Sequence, residues 1–146
     1  MNESFDLILS FAVFEHLAMP WIVAEEIQKV LKVGGIVVIE THFSFSEHEL
    51  PWHFFQFNAN ALEVLFSKEL GFQILDSGLD TPMVGRFSSM AAPYLQRMTI
   101  RDLYCHSSVI ALKVKEACMD LGEPFDWRRC ITRINSETMY PVENGR

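Results

Sequence analysis

Cysteine, basic charge and long apolar runs are all scarce in this sequence. Cys105, Cys118 and Cys130 are odd in number and share no C-x-x-C spacing, which points to neither a disulfide framework nor a zinc finger. A reducing, cytoplasmic setting is the expectation. No apolar run reaches the roughly 20 residues that a membrane-spanning helix needs. The opening MNESFD has neither the basic start nor the apolar stretch of a signal peptide. Lys and Arg number 12 against 19 Asp and Glu, a net charge of −7. The imbalance sits in residues 1–80, with 12 acids and 3 bases (−9); residues 81–146 hold 7 acids and 9 bases (+2). An acidic surface repels a phosphate backbone, so no nucleic-acid partner is expected. Arg128, Arg129 and Arg133 in the tail read as solvated surface. Neither an internal repeat nor a low-complexity block appears.

Apolar material, by contrast, is ample. Hydrophobic residues make up 49% of the 146, and twelve of them are Phe, enough for the core of one globular domain. FDLILSF, residues 5–11, is a short unbroken apolar run of the kind found in a strand covered on both faces. Pro20 suits the first position of a helix. Val23, Ile27, Val30 and Leu31 then build one apolar face, and Gly34-Gly35 provides a stop. IVVIET, 36–41, is a second strand. Strand, helix and strand with short joints predict a right-handed crossover and a parallel pair. HFSFSEHELPWHFFQFN, 42–58, has no clean period and reads as a loop or lid. Asn58 or Asn60 caps the next helix, whose face is Leu62, Leu65, Phe66 and Leu70 and whose end is Gly71. FQILDSG, 72–78, and SSVIALKV, 107–114, are a third and fourth strand. Residues 79–98 read as an irregular excursion with some helix, and the tail from Glu116 as irregular, ordered at most as far as Tyr140.

FDLILSFAVFEHL, then a helix running into VLKVGG, then IVVIET, resembles the middle of the class I S-adenosylmethionine-dependent methyltransferases, in the type 11/12-like group. PWHFFQFN and GFQILDSG are similar to the same group. The likeness covers residues 5–78 well and runs more loosely to about 115. Val33 stands where that family usually has Pro. The resemblance implies an α/β fold, a partial Rossmann-like methyltransferase sheet that is mostly parallel and corresponds to strands four to seven of the family, with flanking helices. It divides the chain into 1–115, the C-terminal portion of a methyltransferase domain, and 116–146, a tail. The cofactor implied is S-adenosylmethionine, and the acceptor a small molecule or a glycan. The family also uses a glycine-rich turn and an acidic residue on the ribose. The seven glycines here form no G-x-G-x-G, so the chain reads as part of the domain, by truncation, by an incompletely defined gene or by division from a separate N-terminal half.

Ligands of open α/β sheets sit beyond the carboxyl ends of the strands. By family analogy Ser10 and Phe11 hold the methionine end of the cofactor, with Glu15 and His16 opening toward the crevice or bracing the turn. Where some relatives carry a further Glu supporting a metal, this chain has Ala12, and no metal is expected. His42 and His53 are candidate general bases, since imidazole titrates near neutral pH. His42, His48 and His53 are spaced by six and five, which fits no common ligand motif, and they also read as loop histidines. Of the aromatics in PWHFFQF, Trp52 and Phe54 are assigned to an acceptor pocket and the others to packing. Three other readings stand beside methyl transfer: a non-catalytic partner module, a metal-dependent hydrolase using the 42–53 histidines, and a nicotinamide oxidoreductase with the same strand–helix–strand layout. An unpaired edge on the first strand predicts self-association through it.

Overall fold

The computed structural model describes residues 3–117 and 125–130. Strand β1 (Phe5–Phe11) leads through a short 3-10 turn, Phe14–His16, to helix α1 (Pro20–Val30). Strand β2 (Leu31–His42), helix α2 (Ala59–Leu65), strand β3 (Phe72–Arg86) and strand β4 (Thr99–Lys113) follow. The four strands form one sheet in the order β1-β2-β4-β3.

β1 and β2 pair in parallel, as the crossover requires. β4 pairs antiparallel with both β2 and β3. The expectation of a mostly parallel sheet therefore needs correction. Three strands point the same way, but only one of the three pairings is parallel. The physical reason is that β4 turns straight back after β3 and inserts beside β2. An antiparallel return needs no crossover helix.

α1 starts at Pro20 as its sequence predicts, but ends at Val30, ahead of the glycine pair. Its terminal carbonyls are satisfied from outside the helix. The N–H groups of Glu3 and Ser4 donate to Lys29 O and Val30 O at 3.0 and 2.7 Å. The Lys113 ammonium donates to Gln28 O and Leu31 O at 2.7 and 2.8 Å. With those groups capped, Leu31 is free to become extended. α2 is capped by Asn58, whose Oδ1 accepts from the Ala61 N–H at 2.9 Å. At Gly71 φ is +96°, and a Cβ there would collide with Lys115 O, so the tight turn into β3 requires glycine.

β3 and β4 are both longer than their apolar runs. Residues 79–86 continue β3 and residues 99–106 open β4, as a ribbon that extends past the end of β2. The register shifts between Met83 and Gly85, an irregularity that accommodates the glycine. Neither half is apolar enough to read as strand alone. Cross-strand pairing supplies what propensity does not.

The helices lie on one face of the sheet. Val37 and Ile39 of β2 and Val109 and Ala111 of β4 are buried against Leu62, Phe66 and Phe72. Phe125 and Cys130 of the tail join this core, and the Trp127 indole N–H donates to Glu25 at 2.8 Å. The remainder of the predicted tail lies outside the described residues. The opposite face of β1 is uncovered: Phe5, Leu7, Leu9 and Phe11 are each about half exposed.

Candidate functional site

The carboxyl ends of β1 and β2 meet at one end of the sheet. There the parallel register sets Ser10 beside Ile39 and Phe11 beside Glu40. Ser10 is half-buried and Phe11 exposed at the open edge. Ala12 follows with φ +51° and donates its N–H to Glu40 O at 3.0 Å, which turns the chain sharply. That turn drops Glu15 beneath the sheet end, where its side chain is fully buried.

Glu15 organises what surrounds it. The Thr41 hydroxyl donates to its Oε2 at 2.5 Å. Its backbone carbonyl accepts from the N–H groups of Phe54 and Phe55, tying the 43–57 loop to the turn. Its Oε1 lies 2.8 Å from His42 Nδ1. The two atoms are near but not aligned for a hydrogen bond, and both are buried without a hydrogen-bond partner among the described residues. An unsatisfied buried polar group costs about 1–3 kcal/mol.

His42 ends β2 and is largely buried, stacked between Phe45 and His106 with ring centroids 4.6 and 5.3 Å away. Burial pulls its pKa below the ordinary imidazole value. The Glu15 carboxylate opposes that shift, and His48, His106 and His53 add to it. His53 is half-buried in the loop. Its Nδ1 accepts the His48 N–H at 3.2 Å, and its buried Nε2 has no hydrogen-bond partner among the described residues. His16 Nδ1 bonds the Trp52 carbonyl at 2.9 Å, bracing the loop, while its Nε2 stands 3.9 Å from Glu15. Trp52 and Phe54 are exposed and meet edge to face at 6.4 Å, whereas Phe55 and Phe57 pack into the core.

The structure thus brings Glu15, His16, His42 and His53 together, with Ser10 and Phe11 on the adjoining strand end and Trp52 and Phe54 on the loop surface. His106 and Cys105, which sequence patterns do not single out, complete the cluster from β4. The β2–β4 register puts His106 opposite His42. All five histidines of the chain meet here. A groove of about 430 Å³ lined by Glu63, Ser67, Lys68 and Phe72 lies at the opposite end of the sheet and carries none of these groups.

A family model described as a methyltransferase domain matches residues 1–39, the β1–α1–β2 unit. No curated protein matches the chain. Among solved structures, a Bacillus halodurans protein provisionally named a methyltransferase is 16% identical, with a TM-score of 0.55 over 79% of this chain and 67% of its own. The YcgJ protein of Bacillus subtilis is 14% identical, with a TM-score of 0.51 over 78% of this chain and 66% of its own. A chain from a Haloferax volcanii complex of a methyltransferase activator with a provisionally named methyltransferase is 14% identical. Its TM-score is 0.53, over 81% of this chain and 57% of its own. The chain therefore spans 57% to 67% of the length of these three structures. At these identities the likeness is one of fold.

Proposed function

We infer that this chain, with a methyltransferase-domain match over residues 1–39 and a methyltransferase-type sheet, carries part of an S-adenosylmethionine-dependent methyl-transfer site. The observation that carries the reading is the open carboxyl end of β1 standing beside the buried Glu15 and the histidine loop. Ser10, Phe11 and Ala12 fit the methionine end of the cofactor. Their strand is the sheet edge, so outward backbone N–H and C=O groups are available to an amino acid moiety. The 146 residues contain no glycine-rich turn for the rest of the cofactor. The exposed apolar face of β1 supports a covering segment that supplies one.

S-adenosylmethionine, when bound, supplies an electrophilic sulfonium methyl. The chain's own groups position the acceptor and receive its proton. His42 and His53, each with a buried ring nitrogen that has no hydrogen-bond partner among the described residues, are the candidate proton acceptors. Glu15 and His16 hold the turn and the loop against the strand end. Trp52 and Phe54 offer exposed ring faces to an apolar or sugar-like acceptor, a small molecule or a glycan.

The test is amide chemical-shift mapping of the folded chain titrated with S-adenosylhomocysteine, which registers even millimolar binding. The expected result is a set of shifts centred on Ser10–Ala12 and the Glu15 turn. Absence of shifts there, or shifts confined to the Glu63–Phe72 groove, sinks the reading.

A further inference from the structure

We propose that Glu15, His42 and His48 form a binding site for a divalent transition-metal ion of the zinc class. This inference concerns metal binding by the chain itself and stands whether or not methyl transfer holds.

One nitrogen or carboxylate oxygen from each of the three residues lies within 4.8 Å of the others. A tetrahedral shell at the usual zinc distances brings ligand atoms to about 3.3 Å apart, so a modest side-chain rotation closes the set. His48 is half-buried in the 43–57 loop, with its ring against those of His16, His42 and His53. The first independent observation is the pair of buried atoms left without hydrogen-bond partners. Glu15 Oε1 and His42 Nδ1 converge to 2.8 Å without alignment. Two buried donor atoms that lie close together without satisfying each other are what a cation needs.

The second observation is the outer ring of contacts. Metal ligands are ordinarily held by a hydrogen bond on their far side. Glu15 has Thr41 on Oε2 at 2.5 Å, which leaves Oε1 for the ion. His48 has its Nδ1 at 3.0 Å from Ser46 O, so Nδ1 carries the proton and Nε2 presents its lone pair. Two imidazoles and one carboxylate suit zinc, cobalt or nickel; magnesium and calcium prefer all-oxygen shells. Three protein ligands leave a fourth position open, as in metal sites that bind a further molecule.

A competing set, His42, Cys105 and His106, shares His42. It is the weaker of the two, because the orphaned buried atoms here are those of Glu15 and His42, and His106 has none among the described residues.

The experiment is calorimetric titration of the metal-stripped 146-residue chain, free of any polyhistidine tag, with Zn²⁺ alone. One ion per chain with Kd below about 1 µM is expected. His48→Ala, in the loop, is expected to stay folded by its melting curve and to weaken binding at least about tenfold. The Co²⁺-loaded chain is expected to show d–d bands without a thiolate charge-transfer band. No binding up to about 0.1 mM in a folded sample overturns the proposal. So does unaltered affinity in His48→Ala, and so does a thiolate–cobalt band, which would place the ion on Cys105.

Discussion

Lys113 is buried completely, which is unusual for a lysine. Its ammonium is spent on the Gln28 and Leu31 carbonyls and on Glu116, 2.9 Å away. A cation at the carboxyl end of α1 also meets the negative end of the helix dipole favourably. Replacing it with Met keeps the volume but orphans two carbonyls, so Lys113→Met is expected to cost about 3 kcal/mol. Urea unfolding of the two proteins checks this. Glu116 on the rim of the same cluster is exposed. Burial raises its pKa, but hydrogen bonds from Lys113 and Gln28 outweigh that and leave it below the ordinary carboxylate value. A depressed folded-state pKa stabilises above the unfolded value. The benefit drains away as pH falls through the folded one. Glu116→Gln is therefore expected to lower Tm slightly at neutral pH and not at all in strong acid. Melting curves across pH decide it; a gap that widens toward acid reverses the sign.

Among the elements, β1 carries the largest mismatch between composition and surroundings. It reads as a strand buried on both faces, yet Leu7 is 51% and Leu9 55% exposed. An unpaired, apolar edge of this kind recruits another strand or face. The chain is expected to self-associate through β1, and Leu7→Lys with Leu9→Lys to return it to monomer. Both side chains are already in solvent, so stability is expected to change by only about 0.5 kcal/mol per site. Light scattering on both proteins gives the answer, and a parent chain that is cleanly monomeric refutes the idea. β3 and β4 show the reverse mismatch. Their distal halves, with Pro82, Gly85 and several charges, look unlike strands and are strands only because each pairs with the other.

At the scale of the whole molecule, local chemistry determined much on its own. The β1–α1–β2 crossover, the Pro20 start, the Asn58-or-Asn60 cap and the Gly71 turn all rest on periodicity or on the conformational limits of single residues. Those signals act over a few positions, so they survive without knowledge of the fold. The likeness to methyltransferases was likewise carried by contiguous segments. Three things came only from the tertiary structure. The antiparallel insertion of β4 depends on which edge a returning chain finds. The burial of Lys113 depends on where the carboxyl end of α1 stops. The histidine cluster depends on a turn at Ala12, the β2–β4 register and a loop folded over both. Residues 16, 42, 48, 53 and 106 share no spacing that a ligand motif would have. Only folding converts that scatter into ring contacts of about 5 Å.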